Sequence, residues 1–230
     1  MKRRNRLLLF ALVFTLVFST TVFAAAKPPE LIGKAAISVD IDTNEIIYAK
    51  NIDNKMYPAS ITKLITALLL AENKTKTDEL KYTKNAKAQP PYSYNLNIHP
   101  VAIGDIMSAD NVMDGLLLYS GNDIAYMIAD NVGGNPVNFA KMMNAKAAKL
   151  GMTGSHFITP NGLDDFNDQH YTTAYDLTLA GRAAYKNDWV KKSMGKKISV
   201  IKSTYGPKAT VGNRNKLLGI AGNIGGKTGY

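Results

Sequence analysis

From Leu7 to Phe23 the chain reads LLLFALVFTLVFSTTVF, an apolar run without a single charge. It follows the basic stretch MKRRNR and precedes the small residues Ala24 to Ala26, the order of an export signal. Residues 1–26 are therefore read as a signal peptide cleaved near Ala24 to Ala26. The alternative is an uncleaved anchor, since the run approaches the length of a membrane span. Beyond it the pattern changes to alternation. AAISVDI (Ala35 to Ile41) and EIIYAK (Glu45 to Lys50) are β-rich and separated by turn residues, which predicts a hairpin.

YPAS and then ITKLITALLLAEN follow, a stretch apolar enough to be a helix buried on most of its faces. Lys74 to Pro100 is polar and contains prolines, with room for one or two short strands. A helical block spans about 101–190. VMDGLLLYS and NDIAYMIADNVGG flank Ser120, and NPVNFAKMMNAKAAKLG opens on an Asn cap with Pro at the first helical position. Gly151 is placed to end that helix. SHFITPNGLDDFNDQHYTT is loop chemistry, and TAYDLTLAGRAAYKN is a further amphipathic helix capped by Thr172 or Thr173. After Lys196 the pattern returns to β in KISVIKS, KATVG and NIGGKTGY. With β elements at both ends and helices between, the expected architecture is a sheet drawn from distant parts of the chain, with helices inserted.

Composition narrows the chemistry. The 230 residues hold no cysteine, which excludes a thiol nucleophile, a disulfide frame and a cysteine-based zinc site. The net charge is +10, of which Lys2, Arg3, Arg4 and Arg6 supply four, leaving +6 after them. A mildly basic exported surface suits an anionic cell wall or membrane face, and equally plain solubility. No nucleic-acid motif is present. His99, His156 and His170 lie in loop contexts without ligand spacing and are read as structural, with no metal site.

Three short motifs could carry chemistry. In Ser60-Ile61-Thr62-Lys63 one helical turn puts the lysine beside the serine hydroxyl. A serine needs a base to become a nucleophile, and a lysine becomes that base when burial or another cation lowers its pKa. Spacing alone leaves Ser60 as either a nucleophile or a helix-capping serine. Ser193 to Lys196 and Ser199 to Lys202 share the S-x-x-K spacing, but one contains a glycine and the other lies in a β-like run. Ser120-Gly121-Asn122 can present a hydroxyl and an amide to one cleft, or merely cap a helix. Ser93-Tyr94-Asn95 fits the same template. Lys227-Thr228-Gly229 occurs once. On a strand its lysine would add positive charge and its glycine would let a substrate backbone approach.

The three motifs in this order, behind an export signal, resemble the signature set of penicillin-recognising serine enzymes. YPASITKLITALL, GLLLYSGNDIAYMIAD, FAKMMNAKAAKLGMTGSHFITPNGL, YTTAYDL and NKLLGIAGNIGGKTGY are similar to segments of the D-alanyl-D-alanine carboxypeptidases among the low-molecular-mass penicillin-binding proteins. The likeness covers nearly everything from Lys34 onward. It implies an α/β (α+β) fold of the DD-peptidase/β-lactamase type over residues 27–230. That fold has about five mostly antiparallel strands, one of them carrying K-T-G, and a helical subdomain, with the active site between them. It implies that Ser60 is acylated by a peptidoglycan stem peptide ending in D-Ala-D-Ala, with Lys63 as base and Ser120 relaying a proton to the leaving D-alanine. Asn122 would hold a substrate amide, while Lys227, Thr228 and Gly229 bind the terminal carboxylate and backbone. The backbone N–H groups of Ser60 and Tyr230 would form the oxyanion hole. β-Lactams would acylate the same serine, and no cofactor is implied.

Two departures accompany the likeness. The stretch AQPPYSYNLNIHPVAI carries His99-Pro100 where the family often has a Gly-containing turn. The family also continues past K-T-G with further strands and a closing helix, so the chain is expected to be either a fragment or a truncated form with an exposed sheet edge. A serine β-lactamase of the same superfamily is the nearest rival. Its glutamate-dependent type needs a Glu after the S-x-N motif, whereas Glu30, Glu45, Glu72 and Glu79 all precede it. A non-catalytic stem-peptide-binding protein is the rival of another class.

Overall fold

In a computed structural model the described residues are 30–90, 96, 101–163, 167–206 and 208–229. The leader, the Ser93 to Asn95 template, His99-Pro100 and Tyr230 lie outside them. Residues 33–230 make up one compact unit.

The chain enters through the expected hairpin, β1 (Ala36–Val39) against antiparallel β2 (Ile46–Lys50). Its turn is closed by one carboxylate. Asp40 Oδ1 accepts from the backbone N–H of Asp42 at 2.9 Å and of Thr43 at 2.7 Å, and from the Thr43 hydroxyl at 2.9 Å. These donors hold Asp40 below the usual carboxylate range.

A 3-10 turn, Ala59–Thr62, leads into α1 (Lys63–Asn73), and every residue of α1 from Lys63 to Leu70 is buried. Its five leucine and isoleucine side chains can wrap the helix on all sides only if other elements cover each face. That is its position here: α1 packs on the later helices of the block and anchors the hydrophobic core of the described residues. Each fully buried Leu or Ile side chain contributes about 1.5–3 kcal/mol by leaving water.

Next come β3 (Glu79–Lys81), the short α2 (Lys84–Lys87) and β4 (Ile106–Ser108), which pairs antiparallel with β3. Helix α3 (Ala109–Asp114) runs on as a π turn, Gly115–Tyr119, which ends at Ser120 with φ +69°. Helix α4 is Asn122–Gly133. Helix α5 (Pro136–Leu150) starts on the Asn135 cap with Pro136 in its first turn and stops at Gly151, φ +82°, as the sequence predicts. Helix α6 (Ala174–Lys186) is capped by Thr173, the second of the two candidates. Helix α7 (Asp188–Met194), capped by Asn187, was not expected, because seven residues show no readable periodicity. Strands β5 (Ile198–Ile201) and β6 (Ala209–Gly212) close an antiparallel pair.

The pairing is antiparallel as expected, but among the described residues the strands are divided among three two-stranded ladders rather than joined in one sheet. The K-T-G segment is the second difference. Asn223 to Gly229 forms no ladder among the described residues. Gly225 and Gly226 sit at φ +151° and +156°, and a Cβ on Gly225 would stand 3.0 Å from the Met194 backbone. Close packing on the end of α7, rather than strand pairing, therefore delivers this segment.

The loop between α5 and α6 wraps the start of α1. Isolated antiparallel bridges join Met56 to Thr172 and His156 to Tyr171. The Thr66 hydroxyl donates to the Pro160 carbonyl at 2.6 Å. Gly162, at φ +83°, lies so close to the 3-10 turn that a Cβ there would stand 1.9 Å from the Ala59 carbonyl oxygen. Neither the backbone conformation nor the space admits a side chain. Gly162→Ala is expected to lower the unfolding free energy by about 3 kcal/mol or more. A denaturant midpoint equal to that of the parent protein would show that the contact is dispensable.

Candidate active site

Ser60 sits in the 3-10 turn one residue after Ala59, whose φ of +46° is left-handed. Such a conformation costs a non-glycine residue about 1–2 kcal/mol, and the loop packed against the Ala59 carbonyl holds it in place. The turn is further pinned from below. Ile158 N–H donates to His170 Nδ1 at 3.1 Å, so the proton of this buried ring is on Nε2, which contacts the Thr62 hydroxyl at 3.0 Å. His170 is thus a strut under the turn, and His156 contacts the Gln169 carbonyl.

Lys63 is 0% exposed. Its ammonium donates to Ser60 Oγ at 2.9 Å, to Asn122 Oδ1 at 2.7 Å and to the Asn161 carbonyl at 2.7 Å. Three acceptors match its three protons, and none of the three is charged. Burial drives the Lys63 pKa well below its ordinary value, the positive charge of Lys227 lowers it further, and Arg214 adds to the effect. Asp123 acts the other way. A lysine so placed can exist as a neutral amine one hydrogen bond from a serine hydroxyl.

A second group lies beside the first. Lys227 donates to Ser120 Oγ at 2.9 Å and to the Thr228 carbonyl at 2.6 Å. Burial, helped by the Arg214 charge, brings its pKa down to about 7. Ser120 holds its left-handed conformation at the end of the π turn, and Asn122 opens α4 two residues later, so one bend presents both side chains. At the far end of the motif, a Cβ on Gly229 would lie 3.0 Å from Ile61 Cγ1 and 3.3 Å from the Pro58 carbonyl. The K-T-G segment therefore passes directly over the turn that carries Ser60. Thr228 is half-buried and Gly229 exposed beside that turn.

The structure thus gathers Ser60, Lys63, Ser120, Asn122, Lys227, Thr228 and Gly229 in one place, while Tyr230 falls outside the described residues. The competing S-x-x-K spacings go elsewhere. Lys196 and Ser199 each meet Asp114 Oδ2 at 2.6 Å, and Ser193 donates to Asp114 Oδ1. Asp114 thus gathers both of those serines and Lys196 around one carboxylate, away from the Ser60 group.

A model of the D-alanyl-D-alanine carboxypeptidase family matches residues 22–230. The chain belongs to that family. It is 29% identical to D-alanyl-D-alanine carboxypeptidase DacF of Bacillus subtilis (strain 168) over all of this chain and 60% of that protein. It is 35% identical to D-alanyl-D-alanine carboxypeptidase DacB2 of Mycobacterium tuberculosis over 84% of this chain and 65% of that protein. The chain therefore spans just under two thirds of these relatives. Among solved structures, a D-alanyl-D-alanine carboxypeptidase from Mycobacterium tuberculosis superimposes with a TM-score of 0.80 at 30% identity, covering 90% of this chain and 76% of that one. A variant of a Streptomyces DD-transpeptidase superimposes with a TM-score of 0.79 at 26% identity, covering 88% and 82%. These likenesses place the fold among the DD-peptidases.

Sequence reading did not find Asn161, Arg214 or Asp123. Asn161 acts through a backbone carbonyl, which no side-chain motif can flag. Arg214 left a trace, since Arg182 and Arg214 are the only arginines after Arg6 in a chain rich in lysine.

The two depressed lysines make stability depend on pH. Between about 7 and the ordinary 10.5 the unfolded chain binds the Lys227 proton and the folded chain does not, so stability rises with pH through that window. The denaturation midpoint is expected to climb from pH 7 to pH 9, and to climb less in Lys227→Gln. Equal climbs in both proteins would show that Lys227 titrates normally.

Proposed function

We propose that this protein is a serine-type D-Ala-D-Ala carboxypeptidase that removes the terminal D-alanine from peptidoglycan stem peptides. The observation that carries the reading is the 2.9 Å hydrogen bond between a fully buried lysine and Ser60 Oγ. In the neutral form Lys63 accepts the Ser60 proton as Oγ attacks the carbonyl of the penultimate D-alanine. The negative charge then developing on the carbonyl oxygen falls to the backbone N–H groups of Ser60 and Tyr230.

Ser120, hydrogen-bonded to Lys227, is the hydroxyl through which a proton reaches the leaving D-alanine nitrogen. Lys227 and Thr228 meet the terminal carboxylate, and Gly229 lets the peptide backbone lie close. Asn122 gives its amide oxygen to Lys63, so its amide nitrogen is the end that donates to a substrate carbonyl. Water then releases the acyl group from Ser60, and the enzyme returns to its starting state.

The leader-like residues 1–26 and the net charge of +6 beyond the first four cations support export of residues 27–230 to the cell envelope. Among the described residues no helix is long and apolar enough to cross a membrane. The lack of a glutamate between Ser120 and Lys227 supports the carboxypeptidase over a glutamate-dependent β-lactamase, and Glu72 is engaged in an ion pair with Lys146.

A fluorescent penicillin is expected to label the protein as a long-lived adduct, and Ser60→Ala to abolish the label. D-Alanine should be released from a peptide ending in D-Ala-D-Ala by the parent protein alone. Labelling of the Ser60→Ala variant at the parent level would refute the assignment of the nucleophile. Rapid turnover of penicillin would favour a β-lactamase.

A further inference from the structure

The serine–lysine spacings after α6 take no part in the steps above, yet three of their side chains converge on one buried carboxylate. Asp114 is 2% exposed and ends α3. Its Oδ1 accepts from the Ser193 hydroxyl near the end of α7. Its Oδ2 accepts from Lys196 Nζ and from the Ser199 hydroxyl of β5, each at 2.6 Å. One turn earlier on α3, Asp110 Oδ1 accepts from Trp189 Nε1 at 2.8 Å. The two carboxylates share a face of α3, and Trp189 and Ser193 share the facing side of α7. A buried carboxylate is tolerated where donors meet its oxygens, and charge-assisted bonds hold close geometry, so Asp114 is a rigid joint.

What the joined elements carry gives the joint its meaning. Beyond Asp114 the chain runs through the π turn to Ser120. On the other side, the end of α7 is the floor on which the K-T-G segment lies. A Cβ on Gly225 would stand 3.0 Å from the Met194 carbonyl, and a Cβ on Gly195 would stand 3.0 Å from the Ile224 carbonyl oxygen. Backbone rests on backbone there, with no side chain between to absorb a shift. Just past Gly225, Lys227 donates to Ser120 Oγ at 2.9 Å. That bond closes a ring that runs from Ser120 through α3, Asp114, α7 and the K-T-G segment back to Lys227.

We propose that Asp114 is a positioning residue that holds Lys227 against Ser120, by locking the helix that leads to one onto the helix that supports the other. The inference rests on the reading of Ser120 as the hydroxyl that passes a proton to the leaving nitrogen. Asp114 touches no reacting atom. Amide cleavage forms the bond from Ser60 Oγ to the carbonyl carbon and breaks the carbon–nitrogen bond. The proton that Lys63 takes from Ser60 must then be passed on to the departing nitrogen. A thioester leaves as a thiolate, and that proton stays on Lys63. Displacing the Ser120–Lys227 pair therefore slows amide cleavage more than thioester cleavage. A loss of folded protein, or of the Ser60–Lys63 pair, slows both alike.

The test compares kcat/KM for a peptide ending in D-Ala-D-Ala with that for its analogue whose last amide is a thioester carrying the same terminal carboxylate. Asp114→Asn keeps Oδ1 for Ser193 but puts an amide NH2 where Lys196 and Ser199 donate. It is expected to lower the amide-to-thioester ratio at least about fivefold. Ser193→Ala removes the bond that ties α7 itself and leaves the carboxylate its other two donors. It should lower the ratio in the same direction by about twofold or more, and it decides the matter if Asp114→Asn does not fold. A parental ratio in the folded variants, whatever their absolute rates, would mean a purely structural role and would overturn the inference. A parent protein that cleaves neither substrate would instead overturn the proposed function, and this inference with it.

Discussion

A lysine ammonium with no exposed surface is the constraint around which this molecule is arranged. Removing such a charge from water costs several kcal/mol even after relaxation, and neutral acceptors return only part of it. The ion is therefore poised to give up its proton. To keep it there the fold needs a helix buried on every face, a loop folded back to offer the Asn161 carbonyl, and a bend that aims the Asn122 oxygen inward. Each of those requirements constrains another element. The loop must approach so closely that only glycine fits at residue 162, and the bend leaves Ser120 in a left-handed conformation.

The contrast with the other serine–lysine spacings shows what a motif lacks on its own. Lys196 has the same separation from Ser193 as Lys63 has from Ser60, yet it reaches a carboxylate directly. One lysine is held by hydroxyl, amide and carbonyl oxygens, the other by a countercharge. The difference lies in the other partners, contributed by elements far away in the chain.

Much of the architecture could be read from the pattern of residues. The β1–β2 hairpin, the caps at Asn135 and Thr173 and the stop at Gly151 are local matters of turn and cap chemistry, and they stand where the pattern puts them. Helix α7 was too short to announce itself. The form of the K-T-G segment was hidden because its glycines adopt a conformation dictated by packing on Met194. Within the candidate site, the side chains in the three motifs were legible as residue types at set spacings. Asp114 and Ser193 lie 79 residues apart, and nothing local in either sequence neighbourhood requires the other. Such pairs emerge only when the chain is folded.

The two lysines also carry a consequence for what the cleft attracts. The charges of Lys63, Lys227 and Arg214 oppose one another, and the loss of a lysine proton relieves that repulsion. An arriving carboxylate offers a second form of relief. Anion capture and proton uptake are therefore two ends of one equilibrium, so each must strengthen the other by the same factor. Whatever affinity the cleft has for an anion would therefore fall as rising pH strips the two lysines of their protons.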